Sequence, residues 1–391
     1  MINAQALFNY EMPKILAWYR WFHQNPELSN CEENTGKKII EILTEQGITN
    51  ILPYAKTGLV CDIQGNKKGK HIAFRAELDA LPIIEKTNVD YSSKNKGVMH
   101  SCGHDFHIAT LLGLASVLNN NKDKFEGRIT FVFQPSEEQL PGGAKQMLEE
   151  GLFLNDKPDL MIAQHVAPEL TTGTVGFRVG SSMASGDEIE IIIRGKGGHG
   201  ASPHQSNDVV LTLAQVIVAL QQVKSRFIPA NMPFVLSFGK IEALGATNIL
   251  PNEAIACGTM RTLNEKWREK AKKHITGIVA NISEMYGCTG ETKIKTGYPV
   301  LNNDERLTEC LSNFAKNLLS EANVIELPVR MGTDDFSYFA QVIPSVYFRT
   351  GVAPLNANDI SGLHTDTFLP DTSAFSTVLN LLLSFILNNR I

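Results

Sequence analysis

Nine consecutive residues, Met99-His100-Ser101-Cys102-Gly103-His104-Asp105-Phe106-His107, carry one thiol, three imidazoles and a carboxylate. That density of soft and borderline donors suits a divalent transition metal. Gly103 lets the backbone turn tightly between Cys102 and His104, so both side chains can aim at one point. The alternative is a loop holding a buried Cys and ordinary structural His, which is common for a lone imidazole. Further donors are spread along the chain: the adjacent pair Glu137-Glu138, then His165 and His364, with Glu77 and Asp79 beside them. Thiolate, imidazole and carboxylate together fit Zn, Mn, Co or Ni better than Mg or Ca. Cys102, His104, Glu138, His165 and His364 are too many for a closed four-coordinate site. They suit two divalent cations sharing a bridging ligand and a bridging water. In an adjacent Glu pair, one carboxylate can bind metal while the other takes a proton from that water as it attacks a carbonyl. Asp79 is placed to orient a ligand imidazole. Taken alone, Glu137-Glu138 would read as an acidic helix N-terminus, and His165 and His364 are weak signals.

Alternating helices and strands must bring these residues together. The apolar spacing predicts helices over 5–26 and 33–46, strands over 58–63 and 71–79, and a helix over 107–119. Strands are predicted over 127–134, 159–164 and 345–349, and a buried helix near 378–387. This pattern implies an α/β sheet covered on both faces, with the donors just past the C-terminal ends of strands. The middle of the chain reads as β-α-β-β-α-β: strands at 187–194, 234–241, 254–263 and 291–298, with helices over 207–225 and 264–285. That is a split ferredoxin-like unit, expected as an insertion over 185–298 within a discontinuous first domain, 1–184 plus 299–391.

Composition narrows the function. At 391 residues, 43% hydrophobic and 20% charged, the chain fits two globular domains. A net charge of -5 argues against nucleic acid. The basic stretch Lys67-Lys68-Gly69-Lys70 reads as a solvated hairpin turn. The six cysteines are scattered without a C-x-x-C pair, as in a reducing cytosol. Glu11 precedes any long apolar run and the C-terminal apolar run is too short for a bilayer, so a cytoplasmic protein without a membrane partner is expected.

Several stretches together carry a resemblance: His23-Gln24-Asn25-Pro26-Glu27, Phe74 to Pro82, Met99 to His104, Phe133-Gln134-Pro135-Ser136-Glu137-Glu138 with Gly142-Gly143-Ala144, and Gln164 to Pro168. The middle region adds Gly195-Lys196-Gly197-Gly198-His199, Asn248-Ile249-Leu250-Pro251 and Gly258 to Thr262. The chain resembles the di-metal amidohydrolase and aminoacylase branch of the metallopeptidases, which includes hippurate hydrolase, indole-acetyl-amino-acid hydrolases and N-acetyl-diaminopimelate deacetylase. The resemblance implies a zinc-exopeptidase-like catalytic α/β sandwich with an inserted dimerisation and lid domain. It implies metal ligands at Cys102, His104, Glu138, His165 and His364, with Cys102 bridging, and Glu137 as general acid/base. It implies that His199 reaches the partner subunit's site and helps stabilise the oxyanion. Asn248 and Arg261 would handle the substrate's carbonyl and carboxylate. From the residues alone, His199 could equally be a flexible hairpin tip and Arg261 a surface ion pair.

Three positions depart from the common pattern: Glu77 and Asp334 replace the usual Asp and Glu, and the loop Thr365-Asp366-Thr367-Phe368 differs modestly. The expected activity is hydrolysis of an N-acyl amino acid by a homodimer, or a homotetramer. A dipeptidase or carboxypeptidase with the same site is the rival, and a catalytically silent metal-stabilised binding protein is a rival of another kind.

Overall fold

A computed structural model describes residues 3–355 and 361–388. The chain divides into two compact units: Met1–Gly180 with Asn302–Pro328 and Asp335–Ile391, and Ser181–Leu301 with Val329–Asp334. In chain order, the first unit contributes strands β1 (Ile51–Tyr54), β2 (Gly58–Gln64), β3 (Lys67–Glu77), β4 (Glu126–Gln134), β5 (Leu160–Thr171) and β6 (Val175–Phe177). The second contributes β7 (Ser185–Arg194), β8 (Phe234–Glu242), β9 (Glu253–Thr262) and β10 (Thr289–Thr296). The chain then returns to the first unit with β11 (Val324–Glu326) and β12 (Ser345–Ala353). The helices are α1 (Ala4–Asn9), α2 (Met12–Gln24), α3 (Glu33–Glu45), α4 (His104–Asn119), α5 (Gly143–Glu149), α6 (Val209–Leu220), α7 (Glu265–Met285), α8 (Glu305–Leu319), α9 (Phe336–Val342) and α10 (Ala374–Leu387).

The first unit is built on one eight-stranded mixed sheet in the order β1-β2-β4-β3-β5-β12-β6-β11. Its central strands β4, β3, β5 and β12 run parallel and are buried on both faces, so they read as nearly continuous apolar runs. Helix α4 is apolar almost all round and buried along its length, as a helix inside a core must be. Phe106 on α4 stacks on Phe375 of α10 with ring centroids 4.0 Å apart, and Phe74, Phe131, Phe133, Ile162 and Phe348 fill the same core.

The second unit is an antiparallel sheet in the order β8-β9-β7-β10, the split ferredoxin-like arrangement the element order predicts. Ile189, Ile191 and Ile193 of β7 pack with Val209, Leu213 and Val216 of α6 and Ile275 and Val279 of α7. On the other face of β7, Glu188 and Glu190 pair with Lys295 and Lys293. Caps from Asp208 and Asn264 set the starts of α6 and α7.

Several local expectations are corrected. The helix expected over 5–26 is two helices, because Pro13 opens a new first turn rather than continuing the old one. Residues 67–70 are not a hairpin turn: they begin β3, and β2 and β3 are separated by β4 in the sheet. The strand expected to stop before His165 continues through it to Thr171. The helix expected over 207–225 ends at Leu220, and a separate wide turn covers Val223–Phe227. No described helix is long and apolar enough to cross a membrane, and the described cysteines are all free thiols.

Candidate metal centre

The loop from Met99 to the first turn of α4 lies among the strand ends of the first unit. Gly103 is the residue before α4 and has φ +81°, a conformation in which a side chain is strained. A Cβ there would also meet Val166 Cγ2 at 2.5 Å, so glycine is required twice over. The turn sends Cys102 and His104 to one place. His165 Nε2 lies 3.4 Å and His364 Nε2 3.3 Å from Cys102 Sγ. His364 Nε2 is also 3.1 Å from Glu138 Oε1, though off the line a hydrogen bond requires.

The donor atoms of Cys102, His104 and His165 lie within 4.8 Å of one another, and so do those of Cys102, Glu138 and His364, and of His104, Glu137 and Glu138. Cys102, His104 and Glu138 thus each belong to two of these clusters. Both Ser136, just before the Glu pair, and His364 hold left-handed backbone, at φ +52° and +62°, which costs free energy for a non-glycine residue. Ser136 is held there by Glu32, whose carboxylate accepts from its N–H and hydroxyl, and His364 by its N–H bond to the Ser101 carbonyl at 2.8 Å.

Hydrogen bonds fix which imidazole nitrogen faces the cluster. His104 Nδ1 donates to the Asp79 carbonyl at 2.7 Å, with the Asp79 carboxylate farther away at 3.4 Å. The backbone carbonyl is therefore the orienting group, and the carboxylate instead accepts from Ser29 Oγ and Glu138 N. His165 Nδ1 donates to the Val166 carbonyl at 2.8 Å, which turns Nε2 towards Cys102 Sγ. His104 Nε2 and Glu138 Oε1 are buried without a hydrogen bond. Such orphans are expensive unless something else satisfies them.

The electrostatics ask for a cation. Burial opposes a charged His104, yet Asp79, Glu77 and Glu138 outweigh it and raise the imidazole to about 10. Burial and then the Glu138 and Glu137 carboxylates push the Cys102 thiol well up. Burial, reinforced by His107 and Arg349, holds His165 well below its ordinary value, so it is a neutral donor. A field that holds protons on His104 and Cys102 is one that divalent cations would also satisfy while displacing those protons. Thiolate, imidazoles and carboxylates converging on orphaned buried atoms fit two such ions.

Beneath the cluster lies a network that motif reading missed. Buried Arg75 pairs with Glu77 and with Asp335, the latter at 2.7 Å, and Gln134 bonds both Arg75 and Asp335. Burial would raise the Glu77 carboxyl, but Arg75 and His107 hold it well below its ordinary value. The only sequence signal was that Arg75 and Asp335 each lie in stretches with chemical residues at close spacing. Their pairing, 260 positions apart, carries no local pattern.

The second unit holds the other three candidates. His199 and Asn248 share a short antiparallel ribbon: His199 pairs in register with Ile249, and Gly200 N donates to the Asn248 carbonyl. Both are exposed. Arg261 lies on β9 instead, its guanidinium donating to Thr259 Oγ1 and Thr333 Oγ1 at 3.1 Å each.

Comparison with known proteins now decides the family. The model of peptidase family M20/M25/M40 matches residues 73–388. The chain belongs to this family. It is 39% identical over 358 residues to the Saccharolobus solfataricus thermostable carboxypeptidase 2, covering 90% of this chain and 89% of that one. It is 40% identical over 292 residues to an N-acyl-L-amino acid amidohydrolase of Geobacillus stearothermophilus, covering 74% and 78%. Among solved structures, a Bacillus subtilis dinuclear metal binding peptidase of the M20 family superposes with a TM-score of 0.83 at 31% identity, covering 96% of this chain and 97% of that one. As a family member, the chain has the α/β catalytic fold expected from its sequence and is a hydrolase of the metallopeptidase class.

Proposed function

We propose that this M20 member hydrolyses the amide bond of N-acyl amino acids, releasing a carboxylic acid and a free amino acid. The observation that carries the reading is buried Glu137 beside a cluster of donors that includes orphaned His104 Nε2 and Glu138 Oε1. A purely structural metal site needs no second buried carboxylate next to its ligand Glu138, which argues against a silent binding protein. The similarity to an N-acyl-L-amino acid amidohydrolase supports the substrate class.

Cys102, His104, Glu138, His165 and His364 would hold two divalent cations. Such ions supply Lewis-acid polarisation of the amide carbonyl and acidify water. Glu137 takes the proton from the attacking water and passes it to the departing amine nitrogen, so one carboxylate serves as base and then acid. Asp79 holds the Glu138 backbone through its carboxylate and His104 through its carbonyl, keeping both side chains in place. His199 would stabilise the oxyanion from a partner subunit in a homodimer or tetramer, and Asn248 and Arg261 would receive the substrate's carbonyl and carboxylate. The second unit, expected to span 185–298, would serve as the dimerisation and lid domain. The free thiols accord with a reducing, cytoplasmic setting.

The carboxypeptidase relative favours a second reading, cleavage of a peptide bond with the same machinery. Turnover of acetyl- and benzoyl-amino acids against dipeptides and longer peptides, before and after chelation, separates the two. Chelator-sensitive release from N-acyl amino acids supports the proposal. Activity confined to peptides moves it to the second reading, and no turnover after reconstitution with zinc, manganese, cobalt or nickel sinks both.

A further inference from the structure

Val166, the residue that follows His165, is held at both of its backbone polar groups. The Val166 N–H donates to His107 Nε2 at 3.0 Å, and the Val166 carbonyl accepts from His165 Nδ1 at 2.8 Å and from Arg349 Nη1 at 3.3 Å. Since His107 Nε2 accepts, its proton belongs on Nδ1, which faces Glu77 Oε2 at 2.7 Å. Glu77 in turn is fixed by Arg75, and Arg75 by Asp335 and Gln134. His107, Glu77 and Arg75 are 1%, 0% and 2% exposed, so this chain of directional bonds has no competition from bulk water.

The sheet explains why an imidazole is needed there. Pairing of β3 with β5 runs from Ile72–Leu160 to Arg75–Ala163 and stops. Past that point β5 keeps β12 on one side, with Thr350 opposite Val166, but has lost β3 on the other. The Val166 N–H is therefore a ladder donor whose strand partner has ended, buried where water cannot replace it. His107, reaching up from α4, provides the acceptor that β3 no longer does.

We propose that His107 is a positioning residue for His165: by holding the Val166 N–H it fixes the backbone of Val166, whose carbonyl, held also by Arg349, keeps the His165 proton on Nδ1 and Nε2 turned to Cys102. Glu77 acts one step further out by fixing the His107 tautomer. A side chain that only filled core volume would require neither the Nδ1 donor nor the Nε2 acceptor. The inference rests on the reading of His165 as a metal ligand.

The test is calorimetric titration of cobalt(II) into the metal-free full-length protein, with His107→Asn, His107→Gln and His165→Ala. Asparagine keeps a donor near Glu77 but is too short to accept from Val166, whereas the glutamine oxygen reaches where Nε2 sits. His107→Asn is expected to weaken one of two cobalt steps by about 10–100-fold and leave the other within about threefold, with His107→Gln restoring the weakened step. Equal losses in both variants, or no loss in His107→Asn, overturn the proposal. His165→Ala separates the two failures. If it keeps both cobalt steps, the ligand reading itself is wrong; if it loses one while His107→Asn keeps both, only the role of His107 falls. Imidazole nitrogen-15 spectra of the unsubstituted protein decide the tautomer whether or not the variants fold: a proton on His107 Nδ1 is expected, and one on Nε2 overturns the proposal.

Discussion

Replacing Gly103 with Ala puts two separable costs on one position. The first is backbone strain: at φ +81° an L-residue costs about 1–2 kcal/mol. The second is overlap: the new Cβ would stand 2.5 Å from Val166 Cγ2, and Val166 is buried in β5 with a stiff β-branched side chain. Overpacking of that kind costs about 1–3 kcal/mol. Val166→Ala removes the offending methyl but leaves a small cavity, at roughly 2 kcal/mol. In the double variant the strain and the cavity remain while the overlap is gone. The two substitutions should therefore couple favourably by about 1–3 kcal/mol. Urea unfolding of the metal-free protein measures this if only the first unit is observed. Trp18 and Trp21 belong to that unit and Trp267 to the other, so a Trp267→Phe background makes the fluorescence report the right one. Additivity within about 0.5 kcal/mol would refute the close approach of this turn to Val166.

Other outcomes follow from the same geometry. Asp335→Ala should destabilise the first unit by about 3–5 kcal/mol in the same unfolding assay, because it removes one of the two carboxylates on the buried Arg75 guanidinium and the acceptor of Gln134 Nε2 and the Ala144 N–H, and a loss under about 1 kcal/mol would contradict this. Burial works against a charged His23, but the hydrogen bonds it donates to Asp105 and Glu85 raise it from 6.5 to about 9. The resulting stabilisation, roughly 3 kcal/mol, is fully present below about pH 6.5 and lost as pH rises through about 9. The stability advantage over His23→Gln should shrink across that window, and a constant advantage would count against the charged His23. Because Cys102 and His104 both hold protons at pH 7, metal uptake should release about two of them. Calorimetry in buffers of different ionisation enthalpy reads that number, and heats that do not depend on buffer would contradict it.

How much of this was legible in the sequence depended on whether the information was local. The Met99–His107 stretch announces itself because its donors are neighbours in the chain, and the element order of the second unit follows from apolar spacing. The strand order of the first unit does not: β2 and β3 are consecutive, yet β4 lies between them, and no residue in the connection records that. His165 looked like a residue beyond a strand end because the apolar run over 159–164 stops before it, but the strand continues along β12 to Thr171. Asp79 looked like a carboxylate that orients an imidazole, while the nearer acceptor is its own carbonyl, a backbone group invisible to residue-type reading. The Arg75–Asp335 pair depends wholly on tertiary packing, and so does the service His107 gives to a strand edge.

The most direct test of the account is metal content and turnover of Glu137→Gln beside the unsubstituted enzyme, with an N-acetyl amino acid as substrate. The account predicts the same two metal ions per chain in both proteins and a fall in kcat of about 10²–10⁴-fold, the loss expected when a general base is removed and the ligands remain. Undiminished turnover would show that Glu137 does not move the proton, and loss of metal along with activity would make it a ligand instead.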